Sequence, residues 1–240
     1  MKRLWIVLLG LTLLGPVLAG SSIDDFQEAK KVLFQRVYTP AQRTTFYCGC
    51  SFDSQKRVDA ASCGYRVRKD AARGNRIEWE HIVPAAVFGQ RLACWQNARS
   101  VCGRGGGRKC CSRTNPTFRS LEADMHNLVP AVGELNADRA NYGFGLIAGE
   151  ARQYGRCDFE VSNGLAEPRP EVRGNVARAY LYMNDRVQSD LGYGFLSSDQ
   201  RRMYLQWHRT DPPDDWECQR HELIHRLQGN WNPYIVEGCE

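Results

Sequence analysis

Histidine and lysine are both scarce in this chain: there are five His in 240 residues, and six Lys among 32 basic side chains. With so few imidazoles, any chemistry needing a base near neutral pH must draw on His81, His126, His208, His221 or His225. No C-x-x-C pair recurs at the spacing of zinc ribbons, which argues against a thiolate metal site. Past the first twenty residues no segment is apolar enough to cross a bilayer. Internal repeats, low-complexity tracts and a clear linker are also missing, so a single domain is the expected organisation.

What is present points to export. Lys2 and Arg3 precede an apolar run from Leu4 to Leu14, and Val17-Leu18-Ala19 supplies small residues for cleavage. Residues 1–20 read as a secretory signal peptide, which leaves 21–240 as the folded domain, with no membrane segment in its mature form. Ten cysteines, an even number, predict a disulfide framework in a secreted or periplasmic chain. The net charge of +5, or +3 without Lys2 and Arg3, mildly favours an anionic partner. Arginine, the dominant base, grips phosphate through two parallel bonds.

The elements are expected as follows. Ser22 to Val37 predicts a helix opened by a Ser22–Asp25 capping box. Phe46 to Tyr65 predicts short strands or loops pinned by disulfides. Arg76 to Pro84 predicts a strand, because Ile77, Trp79, His81 and Val83 alternate with charged residues. Arg91 to Arg119 holds four cysteines and Gly105-Gly106-Gly107, and is expected as a long stapled loop. Helices are predicted over 118–128, 172–183, 200–207 and 214–227. The class is α+β: a mixed α/β single domain, disulfide-bonded.

Two neighbourhoods carry more than a lone histidine. Glu80-His81 closes the predicted strand, His126-Asn127 sits on the predicted helix, and arginines lie between them. Phosphodiester cleavage needs a base for water, a cation that screens the phosphate, and a group that steadies charge on phosphorus. A carboxylate and an amide oxygen are hard ligands that leave room for the waters magnesium keeps. Glu80, Asn127, His81 and an arginine would supply these parts. One tension remains, since strand neighbours point to opposite faces. Glu80 and His81 converge only if the strand ends there, and Pro84 allows that.

A rival motif is the literal H-E-x-x-H from His221 to His225, the zinc pattern of metalloproteases. Its extended form wants Gly and His where Gln228 and Trp231 stand. Trp216, Leu223 and Leu227 are expected to define the buried side of this helix, which would leave both histidines solvated. A non-catalytic polyanion binder is the third class, but such a chain would be expected to have lost Glu80, His81 or Asn127.

The segments RIEWEHIVPA (76–85) and EADMHNLVPAVGELNADR (122–139) resemble the two signature blocks of the bacterial endonuclease I family of periplasmic and secreted nucleases. CWQ (94–96), GGRK (106–109), WEC (216–218) and QGNWNPY (228–234) resemble its further motifs. The resemblance implies a ββα-metal nuclease motif and a monomer that takes DNA and RNA as substrates with little sequence preference. It implies hydrolysis to 5′-phosphate and 3′-hydroxyl ends. By position, His81 is implied as general base, Glu80 and Asn127 as ligands of one Mg2+, with Mn2+ or Ca2+ as substitutes, and Arg108 as the residue that steadies the cleaved phosphate. The stretch before Arg108 is longer than the family pattern, and Cys102 with the Cys110-Cys111 doublet implies an additional disulfide. Arg99, Arg104 and Arg113 stay open as substitutes for Arg108. His126 is read as a structural anchor, and Glu122 as a structural contact or one that reaches the metal shell through water.

Overall fold

A computed structural model describes residues 23–149 and 151–239. The signal-peptide reading and Ser22 lie outside the described residues. Twelve helices are described: α1 (Phe26–Val32), α2 (Ala71–Gly74), α3 (Ala85–Gly89), α4 (Ala93–Gln96), α5 (Ala98–Cys102), α6 (Gly107–Thr114), α7 (Pro116–Glu122), α8 (Gly133–Arg139), α9 (Arg173–Leu191), α10 (Ser198–Thr210), α11 (Asp215–Gln228) and α12 (Pro233–Val236). Five strands join them: β1 (Ile77–His81), β2 (Leu128–Val132), β3 (Gly143–Phe144), β4 (Phe159–Ser162) and β5 (Leu165–Pro168). The fold is α+β, as the sequence pattern implied.

The ribbon of β1 and β2 is antiparallel, with Ile77 opposite Val132 and His81 opposite Leu128. Every residue of β2 is buried. A strand covered on both faces loses the polar alternation that marks a half-exposed one. Residues 118–128 are therefore not one helix. α7 stops at Glu122, a 3-10 turn covers Met125–Asn127, and Leu128 already belongs to β2. α8 follows β2 directly, so two antiparallel strands run into a helix whose last residue, Arg139, is fully buried.

The expected helix at the start is shorter than its pattern. Asp25 caps it by accepting from the N–H groups of Gln27 and Glu28, and α1 passes into a π turn at Leu33–Val37. Residues 91–119 are not a loop: they form four short helices stapled by Cys94–Cys111 and Cys102–Cys110. Trp95 lies flat against Gly89 and Gly107, where an added Cβ would come within 2.5 Å of the indole. Glycine at both places lets α3, α4 and the start of α6 close on one ring. Cys48–Cys157, Cys50–Cys63 and Cys218–Cys239 complete the framework, and all ten cysteines are paired.

α9 is the spine of the larger core, which gathers Phe88, Phe118, Leu121, Phe159, Leu181 and Met183. A second core joins Leu33, Val37, Met125, Leu128 and Ile224. Buried arginines bind the layers: Arg178 on α9 donates twice to Glu217 on α11, and Arg220 donates to the Met125 and Leu128 carbonyls. α11 therefore buries Glu217, Arg220, His221 and Ile224, while Trp216, Leu223 and Leu227 are only partly covered. The expected orientation of that helix is corrected, because paired polar side chains, invisible to an apolar pattern, set its buried face.

Candidate active site

A small cleft of about 110 Å3 opens where β1 ends, lined by Glu80, His81, Arg108, Asn136, Arg139 and their neighbours. The ladder stops after His81, and Ile82 turns its N–H to the Asn127 carbonyl. That end resolves the tension between strand neighbours, since Glu80 and His81 both line the cleft. Glu80 is buried. Its Oε1 accepts from the Tyr47 hydroxyl at 3.0 Å and from Arg139 Nη1 at 2.9 Å. Among the described residues no hydrogen bond engages its Oε2. Burial pushes the Glu80 carboxyl up, against the pull of the Arg139 guanidinium and the Tyr47 hydroxyl. A further positive charge at that carboxylate would relieve the burial cost.

His81 is buried as well. Its ring packs against Phe26 at 4.8 Å between centroids, and Nε2 lies 2.8 Å from the Glu122 carbonyl oxygen. A carbonyl can only accept, so Nε2 carries the hydrogen and Nδ1 keeps a lone pair. Burial, followed by the nearby Arg108, lowers His81 to about 3, so the imidazole is neutral at ordinary pH. Glu122 also holds Arg108: its Oε1 accepts from Arg108 Nε at 2.5 Å, and its Oε2 accepts from the Ser112 hydroxyl. One residue thus fixes the imidazole through its backbone and the guanidinium through its side chain. Arg108 remains partly exposed, with its guanidinium 5.2 Å from the Phe26 ring centroid.

Asn127 is not in this cleft. It is fully buried, its Nδ2 donates to the Val83 carbonyl at 3.0 Å, and its Oδ1 accepts from the Val83 N–H at 2.7 Å. The amide behaves as a backbone clip that holds the turn after β1, and the structure does not bring it into the cleft beside Glu80. Asn136, one helical turn before Arg139 on α8, lines the cleft instead. Its Nδ2 donates to Glu78 Oε2 at 3.0 Å, which fixes the amide plane, and no hydrogen bond among the described residues engages its Oδ1. Arg139 locks the whole corner. It donates to Glu80, to the His81 and Ile82 carbonyls at 2.7 and 2.6 Å, and to the Tyr180 hydroxyl on α9.

Among the described residues no three His, Cys, Asp or Glu side chains group into a ready metal cage. The donors left in the cleft include the second Glu80 carboxylate oxygen and the Asn136 amide oxygen, both hard. That set fits a magnesium-like ion that retains most of its waters, and it suits zinc poorly. The H-E-x-x-H histidines lie elsewhere. His225 stacks on Trp231 at 3.8 Å and His221 at 4.7 Å, while His126 lies 5.0 Å from His221. His126 anchors as expected, its Nε2 lying 3.3 Å from the Asn230 carbonyl oxygen. These rings form a tilted column of imidazole and indole faces rather than a set of converging nitrogens. A larger cavity of about 190 Å3 lies among Tyr38, Phe46, Arg169, Trp216 and Arg220, and none of Glu80, His81, Arg108 or Asn136 lines it.

Sequence reasoning missed Asn136, Arg139 and Tyr47. The signal for the first two was present, since Asn136 and Arg139 share a helix face at i, i+3 immediately after a strand. Comparison with known proteins bears on the whole arrangement. An extracellular deoxyribonuclease of Aeromonas hydrophila is 45% identical over 97% of this chain and 98% of its own length. A periplasmic deoxyribonuclease of the same organism is 44% identical over 97% and 94%. An extracellular ribonuclease of Bacillus subtilis (strain 168) is 32% identical over 50% of this chain and 45% of its own. The family profile described as Endonuclease I matches residues 25–239, both flanks of the cleft included, so the chain belongs to the endonuclease I family.

Proposed function

We propose that this protein is an exported, divalent-metal-dependent endonuclease that hydrolyses DNA and RNA with little sequence preference. The observation that carries the reading is the meeting of Glu80, His81, Arg108 and Asn136 on one cleft. Relatives named as extracellular and periplasmic deoxyribonucleases and as an extracellular ribonuclease support substrate class and export alike. The five disulfides agree with an oxidising compartment. No helix among the described residues is long and apolar enough to cross a membrane.

The residues divide the work. Glu80 Oε2 and Asn136 Oδ1 would hold a magnesium ion, with Arg139 and Glu78 orienting the two ligands. When bound, that ion supplies positive charge next to the phosphate and the departing oxygen. His81 Nδ1 takes a proton from water, because Nε2 is already committed to the Glu122 carbonyl. The resulting hydroxide attacks phosphorus, the P–O3′ bond breaks, and solvent protonates the 3′ oxygen, which leaves a 5′-phosphate. Arg108, tethered at Nε by Glu122, has both Nη groups left for phosphate oxygens. None of these groups reads a base edge, which accounts for low sequence preference.

The test is digestion of supercoiled plasmid and of total RNA in magnesium, with an EDTA arm and a casein control. Both nucleic acids are expected to be cut only with the metal, and casein is expected to survive. Nicks should reseal with ligase without prior kinase treatment. Binding without cutting, or proteolysis of casein, would overturn the reading.

A further inference from the structure

Between Glu80 and Glu122 the chain contains no Asp or Glu, yet it carries seven cationic side chains. The whole chain is +5, so the remainder is net negative by two, and the positive charge is concentrated in this one stretch. Two of the seven have carboxylate partners: Arg108 with Glu122, and Arg119 with Asp24. Arg91 lies over the Tyr193 ring. The other four, Arg99, Arg104, Lys109 and Arg113, are exposed and have no ion pair or hydrogen bond among the described residues.

Their placement runs against helix stability. Lys109 and Arg113 stand at i, i+4 on the outer face of α6, a like-charge spacing that destabilises an isolated helix. Arg108 and Lys109 lie in the first turn of α6, where the helix dipole disfavours cations, and no side chain caps that end. The inner face of the same helix is well ordered. Cys110 and Cys111 are fully buried and disulfide-bonded, and Ser112 with Arg108 meets Glu122. The tip is held open by design of its glycines. Gly103 and Gly105 have φ of +72° and +94°, and an added Cβ at Gly103, Gly105 or Gly106 would find no atom within 4 Å. Arg104 therefore sits at the apex of a bare turn whose base is stapled by Cys102–Cys110.

We propose that this arm, residues 97–106 with the outer face of α6, is a second grip on the nucleic acid, in which Arg99, Arg104, Lys109 and Arg113 hold backbone phosphates away from the scissile bond. The inference rests on the nuclease reading. α6 links the two contacts, because Arg108 reaches the cleft from the same helix that presents Lys109 and Arg113 outward. A phosphate row would supply the missing anions and remove both the like-charge and the dipole penalties. The two disulfides order the arm before it meets its ligand, which lowers the entropy cost of binding.

The experiment is fluorescence anisotropy of the intact, oxidised protein with a labelled 20-bp duplex, in EDTA so that nothing is cut, over a series of salt concentrations. Each phosphate contact adds about 0.9 to the magnitude of the slope of log affinity against log salt. Arg99→Gln/Arg104→Gln should lower it by about 1.8, and Lys109→Gln/Arg113→Gln by about the same. The charge-matched control Arg202→Gln/Arg209→Gln, on α10, should leave the slope near the wild-type value. Equal shifts from all three pairs would mean that net charge alone acts, and would overturn the grip. An unshifted slope in both arm variants would overturn it too, while plasmid cleavage by the wild type would leave the nuclease reading standing. A wild-type chain that neither cuts plasmid nor shows a salt-dependent affinity would bring down both.

Discussion

Two regions of this molecule gather imidazoles, and they use them in opposite ways. At the end of β1, His81 is fixed by a single backbone carbonyl, and its second nitrogen has no partner among the described residues. In the C-terminal column, His126, His221 and His225 lie against one another or against Trp231 by their faces. Their nitrogens fare differently: both of His221, and Nδ1 of His126 and of His225, are buried with no hydrogen-bond partner. The column carries the H-E-x-x-H spacing, and the cleft carries the blocks that resemble the endonuclease I signatures. A motif names residues at a spacing, but chemistry needs an accessible lone pair beside fixed charges, and among the described histidines that combination is found at the strand end.

The largest effect separates the two regions directly. His81→Ala should reduce plasmid cleavage by about 10²–10⁴-fold while leaving duplex binding nearly intact, because on the proposed mechanism it removes only the proton acceptor. His225→Phe, which keeps a ring against Trp231, should cut at close to the wild-type rate. If the two variants lose activity equally while both remain folded, the distinction between cleft and column is wrong.

The next effect sharpens the contrast between two asparagines. Asn136→Ala should raise the magnesium concentration needed for half-maximal cleavage and leave the melting temperature almost unchanged. Asn127→Ala strands the buried N–H and carbonyl of Val83, at a cost of about 1–3 kcal/mol for each unsatisfied group. It should lower the melting temperature by several degrees without altering the magnesium requirement. The reverse pattern would return Asn127 to the metal.

The smallest effect concerns pH. Burial holds His126 and His221 below the ordinary histidine range. In the unfolded chain they titrate near 6.5, so below that pH the unfolded state takes up protons that the folded state refuses. Their contribution to stability is complete above that value and declines as pH falls through it. Thermal melting followed from about pH 7.5 to about pH 5 should show this decline, and His221→Phe should flatten it. An identical pH dependence in the variant would mean that the column does not titrate on unfolding.

Much of this was legible before the structure. β1, the disulfide framework, the later helices, Glu80 and His81 follow from periodicity, parity of cysteines and the strand-end carboxylate–imidazole pair, whereas Arg108 is singled out by the family resemblance alone. The failures share a physical cause. β2 is buried along its whole length, so it offers no alternation, and its Leu128 start was absorbed into a neighbouring helix. With that strand unseen, the asparagine next to it looked available, whereas Asn127 is consumed by Val83 and Asn136 one element later faces the cleft. The helices of the 91–119 stretch are four to eight residues long, too short to build a period, and cross-links do for them what periodic packing does elsewhere. The inward face of α11 escaped notice because Glu217 and Arg220 reach their partners only through the tertiary fold.

Arg139 also governs how this corner comes apart. Its guanidinium is wholly enclosed, and it ties the end of β1 to α9 through Tyr180. Loosening this corner would leave that charge without partners, at a cost of about 3–5 kcal/mol. A corner built this way has no cheap intermediate between ordered and lost. On heating, catalysis should vanish together with the body of the protein, and the amide of Ile82 should exchange its hydrogen only when the entire chain comes apart.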